Sequence, residues 1–267
     1  MLFRSQIARL PAIRYALEHY PFIRPRIVSP VYFLPLGRHL LPDPRVEWLS
    51  LREMRGLETR GAAGVSFGSH PFTKVHSSLK THLTTFAFRA ILDRDPPDLE
   101  SMNYPRLREK EIPVGGVAPA GPYAVVTPCY TSPVRELRPP LINRIARHLR
   151  AAGLEVVFLG NLASVSDFGG EKQLEAFVGD GLDLSLGRNL LNRTSLLESA
   201  ALIAGARLLV GLDNGLMHVA GCTDTPIVGA YTTVAPHLRL PVRTRFTDPP
   251  HGGHVIEPPA SLECRYC

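Results

Sequence analysis

The sequence predicts an α/β protein whose second half is built on a parallel sheet. Three observations carry this. Four short apolar runs, "YAVVTP", "LEVVFLGN", "RLLVGL" and "TPIVGAY", recur between residues 123 and 231. Between the first two, Leu141–Ala152 has amphipathic helical spacing and ends at Gly153, a residue suited to a helix C-cap. Ahead of the third, Ser195-Leu196-Leu197-Glu198 is a capping box that opens an alanine-rich helix to about Ala206. Strands that alternate with helices pair in parallel through right-handed crossovers.

The first half gives weaker signals. "PAIRYALEHY", residues 11–20, reads as a helix with Pro11 in its first turn and Pro21 past its end. "PRIVSP" reads as a short strand, "VYFLPLGRHLLP" as a broken helix, and the stretch around Trp48–Leu51 as a second strand. "GVSFGS" is a further strand candidate. Ser78–Leu92 repeats apolar residues at Leu79, Leu83, Phe86, Ala87, Ala90 and Ile91, which is helical spacing. From Asp93 to Pro122 the chain is rich in Pro, Gly and charge without periodicity and reads as a linker.

Composition narrows the function classes. The 267 residues are 45% hydrophobic and 20% charged, enough for one large or two small domains with a real core. The net charge is +6, and 26 of the 30 basic residues are Arg, spread along the chain as a solvated surface would have them. No apolar run reaches the roughly 20 residues of a membrane span. Arg4, Arg9 and Arg14 interrupt residues 1–20, so these make no signal peptide. Four cysteines in a chain this long indicate a reducing compartment. Cys264 and Cys267 have metal-ligand spacing but no further ligands beside them, and Cys129 and Cys222 read as packed or loop thiols. The basic stretch His237–Arg245 reads as solvated surface or as steering for an anionic partner. Nucleic-acid motifs, a P-loop and internal repeats are absent.

The chemistry concentrates in "VGLDNGLMHVAG", Val210–Gly221. Asn-Gly between apolar runs is a hairpin signal, but parallel strands need a helical crossover, and a helix starting near Leu216 supplies it. In parallel sheets ligands gather where strands run into helices. Gly215 lets the backbone approach a ligand closely, and the first N–H groups of the helix attract an anion. Asp213 either fixes the loop by bonding backbone N–H groups or binds a ligand hydroxyl. His218, one turn further on, either reaches a phosphate or is a satisfied, partly buried histidine.

With its surroundings this stretch resembles the donor-binding segment of glycosyltransferase family 9, the ADP-heptose:lipopolysaccharide heptosyltransferases and their relatives. The matching residues are Thr194, Ser195 and Leu196, then Asp213, Gly215, His218 and Ala220, then Pro226. "TPCYTSPVREL" resembles the family's hydroxyl-bearing loop, which puts Thr131 and Ser132 on the donor phosphates. Where the family often carries Lys this chain has Arg135 and Glu136. "LPAIRYALEHYPFIRPRIVSP" and "THLTTFAF" are similar to N-terminal elements of the family. Where it carries Phe-Gly-Pro-Thr, this chain has "GAYTTVAP", which makes Thr232 and Thr233 the corresponding contacts. Asn161 and Asp167 are candidates for holding the ribose.

The resemblance implies a GT-B architecture, two Rossmann-like domains facing across a cleft. The expected boundaries are 1–110 for an acceptor-side domain lacking its first strand, 111–122 for a linker, 123–245 for the nucleotide-sugar domain and 246–267 for a loosely held tail. Donor contacts are expected from Thr131, Ser132, Arg135, Thr194, Asp213, Asn214, Gly215, His218, Thr232 and Thr233. The implied reaction is metal-independent and inverting, with no cofactor: a heptose-like sugar passes from a nucleotide-sugar, ADP-linked, to a saccharide or glycolipid such as lipopolysaccharide core. The implied setting is cytoplasmic, with peripheral contact at the inner membrane face. The family's proposed base is an Asp in a Gly-Asp pair, and this chain, beginning "MLFRSQIARLP", has no such pair there. A truncated, catalytically silent chain is therefore expected, and the alternative function is a non-catalytic nucleotide-sugar-binding module.

Overall fold

The computed structural model describes residues 2–55, 81–107, 112, 117–130, 135–161, 163–164, 174–175, 178–245 and 253–262. The first element is a helix, α1 (Leu2–His19), longer than expected, with Pro11 inside it rather than in its first turn. Proline removes one backbone hydrogen bond there. The cost is offset by burial, since Ile7, Ala8, Leu10, Ala12 and Leu17 are all at most 4% exposed. Strand β1 (Arg26–Val28), helix α2 (Leu34–Leu40), strand β2 (Glu47–Leu49) and helix α3 (Leu51–Arg55) follow. A 3₁₀ turn at Val31–Phe33 leads into α2, so the expected broken helix is present. β1 and β2 pair in parallel, with Ile27 opposite Trp48. The strand candidate "GVSFGS" lies outside the described residues. Helix α4 (Leu83–Leu92) falls within the predicted helix, and Asp93 closes it in the left-handed conformation.

The second half is a six-stranded parallel sheet. Its elements are β3 (Tyr123–Thr127), α5 (Pro139–Ala151), β4 (Glu155–Phe158), β5 (Ala163–Ser164), β6 (Leu174–Glu175), β7 (Arg188–Asn189), α6 (Leu196–Ala204), β8 (Leu208–Leu212), α7 (Gly215–Gly221), β9 (Ile227–Ala230) and β10 (Gly253–Ile256). The order is β10-β9-β8-β3-β4-β7, the doubly wound arrangement, while β5 and β6 form a separate antiparallel pair. β3 is central and every residue in it is buried. It lies between β4 and β8, with Val125 opposite both Val157 and Leu209. α5 stops at Ala151, and Gly153 takes the positive φ of +81° that its position at the end of the helix requires.

Two expectations need correction. Residues 246–267 were expected as a loose tail, yet Gly253–Ile256 is the sheet's edge strand and pairs in register with Ile227–Ala230. A four-residue edge strand carries too little alternation to stand out in sequence. The stretch 93–122 was expected as a linker, yet Tyr104 and Leu107 are 1% and 4% exposed. The Tyr104 N–H donates to Val242 O, and that of Leu107 to Cys222 O at 2.6 Å. Asn103 exchanges two hydrogen bonds with Thr244. This segment therefore adheres to the C-terminal half.

The two halves also share one apolar core, running from Ile7 and Phe33 to Val125, Met217 and Leu240. α1 packs on both α4 and α7. His82 adds a polar tie: its Nδ1 accepts from Thr84 N to cap α4, and its Nε2 lies 2.9 Å from Leu240 O.

The basic stretch His237–Arg245 is solvated only at its ends, where His237 and Arg245 are exposed. Arg239 and Arg243 are 4% and 0% exposed. Arg243 donates to Thr225 O at 3.0 Å and to Ala220 O at 3.5 Å. Arg245 donates to Gly221 O and Thr223 O. These carbonyls lie in and just past the last turn of α7, which leaves acceptors unsatisfied and favours positive charge. Burial lowers the Arg243 pKa to about 10, which still leaves it charged at neutral pH. Arg243→Met should destabilise the fold by about 1–3 kcal/mol, because it takes from the Thr225 carbonyl the buried donor it has here, while Ala220 O keeps its bonds from Thr223. Urea unfolding measures this, and an unchanged midpoint would show that the bonds contribute nothing.

Candidate functional site

The carboxyl ends of β3, β8 and β9 lie side by side, and each continues into a loop bearing predicted site residues. β8 ends at Leu212. Asp213 follows, 6% exposed, and Asn214 is the N-cap of α7. The strand–loop–helix reading of "VGLDNGLMHVAG" is therefore the one realised, since β8 pairs in parallel with β3 and β9. Asn214 holds the start of α7, its Oδ1 accepting from Met217 N at 3.2 Å. Gly215, the first helical residue, is half-buried.

β3 ends at Thr127 and continues through the buried Cys129 to the half-buried Tyr130. Thr131 and Ser132 lie outside the described residues. Burial, followed by the charges of Glu136 and Asp180, raises the Tyr130 pKa, and its hydroxyl bonds Glu136. Arg135 is half-buried just ahead of α5. Beyond β9, the Tyr231 N–H donates to Ile256 O, and Thr232 and Thr233 are half-buried. Thr194 lies ahead of α6, with its hydroxyl 2.8 Å from that of Ser199. Both bonds of the Ser195–Glu198 capping box are present, and they hold the Glu198 carboxyl below its ordinary range. Asn161 is exposed after β4, and Asp167 lies outside the described residues.

His218 does not face this edge. It is 0% exposed, and its Nδ1 lies 2.8 Å from the Tyr104 hydroxyl. The two rings stack with centroids 5.8 Å apart. Of its two sequence readings, the buried histidine is the one seen, held through Nδ1, and in this arrangement the ring is closed off from the strand ends. Tyr104 had no sequence signal, being a lone tyrosine in an aperiodic stretch 114 residues from its partner. Arg106 of the same segment pairs with Asp224, which also meets Arg245 at 3.3 Å.

Burial pushes the Cys129 and Cys222 thiols up to about 12, which makes them inert packing groups. Cys264 and Cys267 lie outside the described residues. Among the described residues no group of three or more His, Cys, Asp or Glu could hold a metal ion. A concavity of about 540 Å³ opens where β4 and β7 begin, lined by Arg150, Glu155 and Arg188 among others. That is the amino edge of the sheet, opposite the strand ends described above, and Arg188 is paired there with Glu155 at 2.8 Å.

Known proteins give this edge a context. The chain is 40% identical to lipopolysaccharide heptosyltransferase 2 of Salmonella typhimurium over 55 residues, 21% of this chain and 16% of that one. All of it superposes on the iron-containing dodecameric glycosyltransferase TibC of enterotoxigenic E. coli, with a TM-score of 0.67 and 16% identity, and it spans 62% of that chain. It matches E. coli ADP-heptose lipopolysaccharide heptosyltransferase II with a TM-score of 0.64 and 17% identity, covering 97% of this chain and 89% of that one. For E. coli heptosyltransferase WaaC with ADP the TM-score is 0.57 at 15% identity, with coverage of 97% and 89%. These structures establish the fold as α/β of the GT-B type. The family model of glycosyltransferase family 9 (heptosyltransferase) matches residues 97–247, from the segment carrying Tyr104 past Arg245, and the chain belongs to that family.

Proposed function

We propose that this chain binds a nucleotide-sugar at the carboxyl edge of β3, β8 and β9 and transfers a heptose-like sugar from it to a saccharide acceptor. The observation that supports this reading most is the convergence of the Cys129–Tyr130 loop, the Asn214–Gly215 turn and Thr232–Thr233 on one edge of a family 9 domain. In this reading the diphosphate lies against the backbone of Gly215 and the hydroxyls of Thr131 and Ser132. Hydrogen-bond donors placed there stabilise the charge that grows on the leaving group. Arg135, Thr194, Asp213, Thr232 and Thr233 complete the donor surface.

The acceptor hydroxyl attacks the anomeric carbon as the bond to the diphosphate oxygen breaks, which inverts that centre. The hydroxyl proton passes to a base on the N-terminal half. The donor is ADP-linked and no metal ion takes part. The acceptor is a lipopolysaccharide-core sugar, met by a cytoplasmic protein in peripheral contact with the inner membrane face. No helix among the described residues is long and apolar enough to cross a membrane.

A panel of ADP-, GDP- and UDP-sugars tests the donor. A ligand at 100 times its Kd adds about 2.7 kcal/mol of stability. The ADP-sugar should therefore raise Tm the most, and a preference for GDP- or UDP-sugars would sink the ADP assignment. Gly215→Val should abolish binding while Tm changes little, because its side chain fills the space the diphosphate approaches. Unchanged affinity in a folded Gly215→Val protein would remove Gly215 from the site. Neither Mg²⁺ nor EDTA should alter affinity or transfer, and a strict metal requirement would overturn the metal-independent reaction. Transfer of the sugar to a lipopolysaccharide-core acceptor, followed as ADP release, separates an enzyme from a module that only binds.

A further inference from the structure

We infer that Asn214 and Thr127 form a latch between the two loops at this edge and act as positioning residues for the donor; this rests on the donor-site reading above. The orientation of the Asn214 amide is fixed by its neighbours. Met217 N is only a donor, so the amide oxygen must face it. The amide nitrogen then points across to β3, where it meets Thr127 Oγ1 at 3.2 Å and Cys129 O at 3.4 Å. It carries one hydrogen for each. The Asn214 backbone N–H is also committed, to Leu212 O at 2.7 Å. Asn214 thus contributes through the loops it joins rather than by donating to a phosphate.

The latch lies where the sheet's own ladder ends. The last β3–β8 pair is Thr127 with Gly211. Beyond it the two chains part, one toward Tyr130 and the other into α7. A Cβ on Gly211 would stand 2.1 Å from Thr127 Oγ1, so glycine is what lets that hydroxyl lie between the strands. Thr127 is 1% exposed, which keeps water from competing for the bond. Among good N-cap residues only asparagine both caps and donates twice. Serine and aspartate cap about as well but have no amide hydrogens to give.

The test uses the full chain with ADP-heptose as the calorimetric probe, beside native-state hydrogen exchange. Asn214→Ser and Thr127→Val should each weaken binding by about 3- to 10-fold, and Thr127→Ser, which restores the hydroxyl, should bind within about 2-fold of the parent. The double variant Asn214→Ser/Thr127→Val should be no weaker than Asn214→Ser alone, within about 2-fold, because both changes break one contact. Exchange at the Tyr130 and Gly215 amides should speed up in both single variants while core strands stay protected. Multiplying effects in the double variant, or no rescue by Thr127→Ser, would overturn the latch. If the parent chain does not bind ADP-heptose, the donor reading fails, and the exchange data still decide whether the latch exists. If Asn214→Ser does not fold, the Thr127 pair decides alone.

Discussion

The site depends on a helix too short to stand by itself. α7 has seven residues, and isolated helices below roughly 12–15 residues are marginal in water. Its residues Met217, Val219 and Ala220 are fully buried, so tertiary packing holds it. Asn214 caps its N-terminus, and Arg243 and Arg245 take carbonyls at its C-terminal end. Tyr104 and His218 fix its inner face. Any ligand at Gly215 meets a backbone whose direction has been set by these contacts, most of them remote in sequence.

That arrangement explains why the two halves do not behave as independent bodies around α7. The segment Asn103–Leu107 approaches α7 and the 242–244 stretch together, through backbone bonds and the Asn103–Thr244 pair. The Arg106–Asp224–Arg245 group closes the same junction at the surface, where side-chain exposures of 24% to 66% leave it screened by solvent and weak. The buried contacts carry more. Leu107, Tyr104 and α1 bury apolar area against α7, and that burial is what orders an aperiodic, proline-rich stretch.

The sequence revealed what local chemistry determines. The Ser195 capping box, the glycine after α5, the four apolar strands and the turn into α7 all depend on residues close to one another along the chain. It failed where the determining partner is distant. His237–Arg245 reads as a solvated run, since nothing nearby shows that carbonyls at residues 220–225 await its guanidinium groups. Tyr104 reads as linker for the same reason. β10 is four residues long, and its pairing comes from β9 across the sheet edge. Within the site, Gly215, Asp213 and Thr232–Thr233 fall on the predicted edge, whereas His218 turns inward.

His218 shows how a sequence motif can mix two kinds of residue. Asp213 to Ala220 is one short pattern, but a helix presents successive residues about 100° apart, so its members cannot all face one ligand. Gly215 begins α7 at the strand ends. His218 is three residues on, facing Tyr104 and the apolar core. Asn214 faces neither way; it reaches across to β3. On the proposed donor reading, a substitution at His218 or Asn214 acts through the placement of α7, and one at Gly215 acts on the space the ligand would occupy. The motif is compact in sequence because the turn at Gly215 and two of the side chains that hold it, Asn214 and His218, belong to one short helix and its cap.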